Sequence, residues 1–206
     1  MRALGIFATA PIPGWVKSRL ADEVGASTAA DVYGRVGRAV VEAAATPGHR
    51  TTVWYSPSHE LAYVREWLGG LGPIELRPQS GGTSGTRLTH AFARHFADRA
   101  QPVVMISTDT PGIDLRLIAE AFTALHGHDA VLGPTQGGGF YLLGLASPPP
   151  PTAGGGLFRD LSWVTAGAAT QIRARVQRLG LTLRVLRPLR EVETARDARA
   201  LGYLKA

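Results

Sequence analysis

Three side chains stand where apolar runs give way to polar loops, and their types suit phosphate chemistry. Lys17 and Arg19 follow the first apolar run through a Pro- and Gly-containing loop, Thr9-Ala10-Pro11-Ile12-Pro13-Gly14-Trp15-Val16. Asp109 follows the second, Val103-Val104-Met105-Ile106. A lysine ammonium is a mobile point charge and an arginine guanidinium a rigid fork, so together they can grip a di- or triphosphate. The start of a helix adds free N–H groups and a favourable dipole. A carboxylate at the end of a buried strand can hold a metal or shape a phosphate site. The plainer alternatives are two solvated cations on a short helix, and an aspartate that closes an Asx-turn or caps a helix.

A second set of residues could face a base. The Gln79 amide can read a nucleobase edge with paired donor and acceptor, and the glycines up to Gly85-Thr86-Arg87 would let a base come close to the main chain. Glycine-rich loops before helices are common, so this pattern is weak alone. Gly137-Gly138-Gly139 before Phe140-Tyr141 is weaker still, and a tight strand-to-strand turn with core aromatics accounts for it. The Walker pattern Gly-x-x-x-x-Gly-Lys-Ser/Thr is absent, and no Gly-x-Gly-x-x-Gly follows the first apolar run.

The elements that must position these residues alternate throughout. Ala3–Ala8, Thr51–Tyr55, Ile74–Leu76, Val103–Ile106, Asp129–Pro134, Phe140–Leu145 and Leu181–Leu186 read as strands. Helical spacing runs from a Ser27 N-cap to Ala43, over Leu61–Leu68, Leu88–Phe96 and from Asp114 to Leu125, then through Ile172–Leu179 and Thr194–Leu204. This order predicts an α/β domain over residues 1–206, a mainly parallel sheet flanked by helices. Five or six continuous apolar residues suit a strand buried on both faces, and ligands of such sheets bind beyond the carboxyl ends of the strands. His95, on an apolar stripe, reads as a core or boundary residue.

Composition sets outer limits. With 206 residues, 45% hydrophobic and 18% charged, the chain suits one ordinary globular domain. It has no cysteine, which excludes disulfides, thiolate metal sites and cysteine nucleophiles. No apolar run reaches membrane-spanning length and no signal-like segment opens the chain, so a cytoplasmic protein is expected. The net charge of +6 favours anionic partners. Its twenty arginines and two lysines are dispersed, however, with no consecutive basic run, so nucleic acid is not the expected partner.

Taken in order, the motifs resemble one bacterial family. They are Lys17-Ser18-Arg19-Leu20, Gln79 with the Gly-rich loop to Arg87-Leu88, and Ser107-Thr108-Asp109-Thr110-Pro111. Gly133-Pro134-Thr135-Gln136-Gly137-Gly138-Gly139-Phe140-Tyr141, Leu161-Ser162-Trp163-Val164-Thr165 and Glu191-Val192-Glu193-Thr194 complete the set. The chain resembles the rSAM/selenodomain-associated transferases, some of which are labelled arsenosugar-biosynthesis glycosyltransferases. That family is related to molybdopterin-guanylyl and phospholactate-guanylyl nucleotidyltransferases.

The resemblance implies a GT-A-like (nucleotide-diphospho-sugar transferase) fold and a nucleotide or nucleotide-sugar donor with a small-molecule acceptor. It implies a nucleotide site of Pro13, Gly14, Lys17, Arg19, Gln79, Gly85 and Arg87, with Lys17 and Asp109 catalytic. Asp109 and Glu193 would hold Mg²⁺ or Mn²⁺, and Gly138, Phe140, Tyr141 and Trp163 would lie on the acceptor side. Nucleotidyl transfer from an NTP onto a phosphorylated small molecule is narrowly preferred to glycosyl transfer. The chain also departs from the family pattern. Gly137 replaces a usual Asp, Gly82-Thr83-Ser84-Gly85-Thr86-Arg87 replaces Gly-Asp-Leu-Gly-Glu-Arg, and Glu191-Val192-Glu193 replaces Asp-Val-Asp. Fewer acids leave open weaker metal binding, a different acceptor, or a non-catalytic binding relative.

Overall fold

A computed structural model describes residues 1–150, 156–159, 161 and 166–205. Trp163, expected on the acceptor side, lies outside the described residues, as does most of its motif. The strands are β1 (Ala3–Thr9), β2 (Arg50–Ser56), β3 (Ile74–Pro78), β4 (Val103–Ser107), β5 (Ala130–Pro134), β6 (Phe140–Leu145) and β7 (Leu183–Val185). The helices are α1 (Ser18–Val24), α2 (Ala26–Ala44), α3 (Leu61–Trp67), α4 (Ser84–Ala97), α5 (Leu115–Ala124), α6 (Ala168–Arg178) and α7 (Ala195–Ala200).

The strands form one sheet in the order β3-β2-β1-β4-β6-β5-β7. β6 alone runs antiparallel to its neighbours β4 and β5. The reason is local: residues 135–139 are too few for a crossover, so the glycine triplet makes the turn that the sequence suggested. The other pairings are parallel, in agreement with the expected sheet.

Strand β4 is buried at every position, and alternation divides it between two cores. Val104 and Ile106 pack with Leu4, Ile6, Val40 and Phe122 on the face covered by α2 and α5. Val103 and Met105 pack with Leu88, Phe92, Ile172 and Val176 on the face covered by α4 and α6. His95 belongs to the second face. It is buried and accepts a hydrogen bond from Trp54 Nε1 at 3.1 Å.

Two helix ends differ from the sequence reading. Helix α2 starts at Ala26, not behind a Ser27 cap, because Gly25 (φ 85°) both closes α1 and opens α2. Helix α7 ends at Ala200 rather than Leu204, although Thr194 and Asp197 do form a capping box at its start. Asp114 caps α5 as expected, accepting from Leu117 N at 2.7 Å. That leaves Asp109 free of capping duty. Among the described residues, no helix is long and apolar enough to cross a membrane.

Candidate active site

The carboxyl ends of β1 and β4 open into a cleft of about 370 Å³, lined by Lys17, Tyr33, Gln79, Arg87, Asp109 and Glu193 among others. Lys17 reaches it through the shaped loop. Gly14 turns with φ 84°, Val16 packs beside Tyr33, and Lys17 itself takes a left-handed conformation, φ 51° and ψ 56°. For a residue with a β-carbon that conformation costs about 1–3 kcal/mol and is held only by its surroundings. Helix α1 follows, with seven residues. The charge here comes from the Lys17 side chain more than from so short a helix.

Lys17 Nζ donates to Asp109 Oδ2 at 2.9 Å and also to Glu193 Oε1. The Lys17 side chain is only 8% exposed, against 17% for Asp109 and 32% for Glu193. Burial alone would lower the lysine pKa, but the charges of Asp109 and Glu193 outweigh it and raise the pKa above its ordinary value. Burial would likewise raise the Asp109 carboxyl, and the Lys17 charge overcomes it and holds the acid below its usual range. Thr110 Oγ1 donates to Asp109 Oδ1 at 3.3 Å.

Glu193 arrives from a distant part of the chain, on the segment before α7. The Val192 N–H donates to Asp109 O at 3.2 Å, and the Val192 side chain is buried against Leu20 and Ala195. With Val192 turned inward, Glu193 faces Lys17 and Glu191 lies beside Gly137. Burial, followed by the Asp109 charge, pushes the Glu191 carboxyl up to about 7.

Sequence reasoning missed Tyr33. Its hydroxyl accepts from Thr9 N at 3.0 Å and lies 2.7 Å from Thr108 Oγ1, which donates to Phe7 O at 3.1 Å. This one phenol ties the ends of β1 and β4 together beside Asp109. The available signal was a tyrosine on the buried stripe of a helix, where its hydroxyl must find partners.

The base-side residues hold other residues of this chain. Gln79 lines the cleft, but its Nε2 donates to Ala8 O (3.1 Å) and Trp54 O (2.8 Å), while its Oε1 accepts from Arg87 Nη1 (3.1 Å). Both amide N–H bonds are therefore spent on main-chain carbonyls. A β-carbon on Gly85 would meet Phe158 O at 2.0 Å, so the close approach that needs glycine is to the protein's own backbone. Arg87 does line the cleft.

The remaining expected residues separate. Pro13 borders a different groove beside Trp67, and Gly14 is an exposed turn residue. Arg19 lines a second, adjoining cavity and not the cleft of Lys17. Phe140 and Tyr141 are fully buried, Phe140 in the core and Tyr141 with its hydroxyl donating to Arg187 O at 3.0 Å. Neither can contact an acceptor, because both point from β6 into the packed layers. Gly138 (φ 88°) shapes the turn, and a β-carbon there would meet Gly167 N at 3.0 Å.

The oxygen donors Asp109 and Glu193 fit a hard divalent cation. Among the described residues no group of three or more Asp, Glu, His or Cys is arranged to hold a metal ion. Two carboxylates suffice for Mg²⁺ or Mn²⁺ only when ligand phosphates and water complete the shell. The pair thus fits a metal that binds together with a nucleotide.

Residues 39–165 match the family described as an uncharacterized protein conserved in bacteria, DUF2064. No curated protein matches the chain in sequence. Among solved structures it is similar to a candidate nucleotide-diphospho-sugar transferase from Desulfovibrio desulfuricans G20. The two share 27% identity over 98% of this chain and 87% of that one, with a TM-score of 0.86. It is similar also to a 4-diphosphocytidyl-2C-methyl-D-erythritol synthase from Anaerococcus prevotii DSM 20548, at 11% identity over 100% and 99% of the chains and a TM-score of 0.60. A third is Rv0371C from Mycobacterium tuberculosis H37Rv in complex with manganese, at 15% identity, 97% coverage of each chain and a TM-score of 0.53. At such identities the last two show a shared fold, and the fold agrees with the one the motifs implied.

Proposed function

The chain belongs to the DUF2064 family, and we propose that it transfers a nucleotidyl group from an NTP to a phosphorylated small molecule. The observation that carries this reading is the Lys17 ammonium, buried between Asp109 and Glu193 at the carboxyl ends of β1 and β4. Two of its three N–H bonds go to the carboxylates, which leaves one for a phosphate oxygen. Arg87, braced by Gln79, contributes a second cation to the same cleft. An acceptor phosphate oxygen attacks the α-phosphorus, the α–β P–O bond breaks, and pyrophosphate departs with the electron pair. Lys17 and Arg87 stabilise the charge that develops on the phosphates, so no protein nucleophile is required. Asp109 and Glu193 would hold Mg²⁺ or Mn²⁺, which supplies further positive charge to the phosphate oxygens when bound. The manganese complex of Rv0371C, a protein of the same fold, supports that assignment.

The likeness to the Desulfovibrio desulfuricans protein favours a second reading, glycosyl transfer from an NDP-sugar within the same cleft. The products separate the two, because nucleotidyl transfer releases pyrophosphate and glycosyl transfer a nucleoside diphosphate. The rSAM/selenodomain-associated resemblance is compatible with either. A non-catalytic relative would bind a nucleotide without turnover and would tolerate Asp109→Ala. The test is pyrophosphate and nucleoside-diphosphate release from NTPs and NDP-sugars with a panel of phosphorylated acceptors. Pyrophosphate release that is lost in Asp109→Asn supports the primary reading. Nucleoside diphosphate as the sole product replaces it with the second.

A further inference from the structure

A second cavity of about 850 Å³ adjoins the first cleft, and Ser18 and Glu193 border both. Three separate parts of the chain bring guanidinium groups to it: Arg19 from α1, Arg190 from the segment after β7, and Arg196 from α7. Among the described residues four arginines elsewhere have acidic partners: Arg35 has Asp31, and Arg50, Arg77 and Arg94 have Asp98. Among the described residues Arg19, Arg190 and Arg196 form no ion pair. Arg190 makes one bond, from Nε to Gln136 Oε1 at 3.3 Å.

Three acids, Glu191, Glu193 and Asp197, border the same cavity, each engaged with other groups of the chain. Glu193 is bound to Lys17. Asp197 accepts from the Thr194 hydroxyl at 2.8 Å and from the Thr194 and Glu193 N–H groups. Glu191 turns toward the 135–139 loop, its Oε2 lying 3.4 Å from where a β-carbon on Gly137 would stand. Gly137 also lines the cavity and fills none of it. The guanidinium groups thus equal the carboxylates of the lining in number, but among the described residues Arg19 and Arg196 hold no hydrogen-bond or ionic partner, and their planar forks match phosphate oxygens.

We propose that this cavity binds the phosphate group of the acceptor, which meets the donor nucleotide across the shared edge at Ser18 and Glu193. The identity of the ligand as acceptor rests on the transferase reading, whereas the anion site itself does not. Arg19 then serves the acceptor and leaves the donor phosphates to Lys17 and Arg87.

The test is calorimetric titration of inorganic phosphate into the full chain, with and without an excess of each NTP. The same titrations are run on Arg19→Ala/Arg196→Ala and on Arg19→Lys/Arg196→Lys, after thermal melts have shown that both fold. The site predicts saturable phosphate binding that persists with nucleotide present. It weakens roughly tenfold or more in the alanine pair and is partly recovered in the lysine pair. Phosphate affinity unchanged by the alanine pair overturns the proposal. So does competition between phosphate and nucleotide, which would place the anion in the first cleft. Nucleotide binding with arginine-insensitive phosphate affinity removes the anion site alone. Arginine-dependent phosphate binding with no response to any nucleotide keeps the anion site and removes the transferase reading.

Discussion

Lys17 and Asp109 are 92 positions apart, yet Nζ and Oδ2 meet at 2.9 Å in a largely buried ion pair that Glu193 completes. Removing the ammonium leaves two carboxylates facing one another with no countercharge. Breaking a buried pair from one side costs about 3–5 kcal/mol, and solvent at Glu193 places this case near the lower end. Lys17→Met should therefore lower the midpoint of chemical denaturation markedly. Mn²⁺ should restore part of the loss and stabilise the variant more than the wild type. An unchanged midpoint would mean that the cluster contributes nothing to stability.

Gln79 gives a prediction opposite to a base-reading role. Gln79→Leu strips two buried main-chain carbonyls of their donor and frees Arg87, at about 1–3 kcal/mol. The melting temperature should fall, and affinity for every nucleotide should weaken together. A change in base preference at unchanged stability would instead make Gln79 the base reader.

Gly85 tests packing against ligand contact. With Phe158 O at 2.0 Å from an added β-carbon, Gly85→Ala forces α4 away from its neighbour. Overpacking of that kind costs about 1–3 kcal/mol. Thermal melts should register the loss while the folded variant keeps its nucleotide affinity. The reverse pattern would return Gly85 to the nucleotide site.

Two groups, one buried and one half-buried, give pH effects of opposite sign. Burial, then the charges of Arg50 and Arg77, lower His95 from 6.5 to about 4. The native state holds it neutral, as its acceptance from Trp54 requires. Its contribution is complete above pH 6.5 and is lost as pH falls toward 4. Glu191 is raised from 4.5 to about 7, so its contribution is complete below pH 4.5 and is lost as pH rises through 7. Melting temperature against pH should flatten on the acid side in His95→Gln and on the neutral side in Glu191→Gln. Parallel curves for variant and wild type would remove the corresponding assignment.

The fold class was legible because hydrophobic periodicity and the alternation of elements are local signals. The uninterrupted apolar run of β4 announced burial on both faces, and the glycine triplet was open to a tight strand-to-strand turn, which the antiparallel β6 makes it. Lys17, Asp109 and Glu193 were legible by residue type and by motif, and the structure brings all three together. What could not be read was direction. The sequence does not show that the Gln79 amide faces two carbonyls, or that the glycine at 85 yields to Phe158 and not to a base. Arg19 lies two residues from Lys17, but Lys17 is the left-handed residue before α1 and Arg19 lies inside the helix, and the two side chains border different cavities. Tyr33 was hidden for a similar reason: its value lies in a hydroxyl on α2 whose partners, Thr9 and Thr108, stand at the ends of β1 and β4.

The most direct measurement is thermal stabilisation of the wild type and of Asp109→Asn by NTPs and NDP-sugars, each with and without Mn²⁺. A ligand at one hundred times its dissociation constant adds about 2.7 kcal/mol of stability, which a melt resolves easily. A nucleotide-dependent stabilisation that grows with Mn²⁺ in the wild type and is lost in Asp109→Asn is the predicted result. Equal stabilisation of both proteins, indifferent to Mn²⁺, would contradict the assignment of Asp109 and Lys17 to a nucleotide-transfer site.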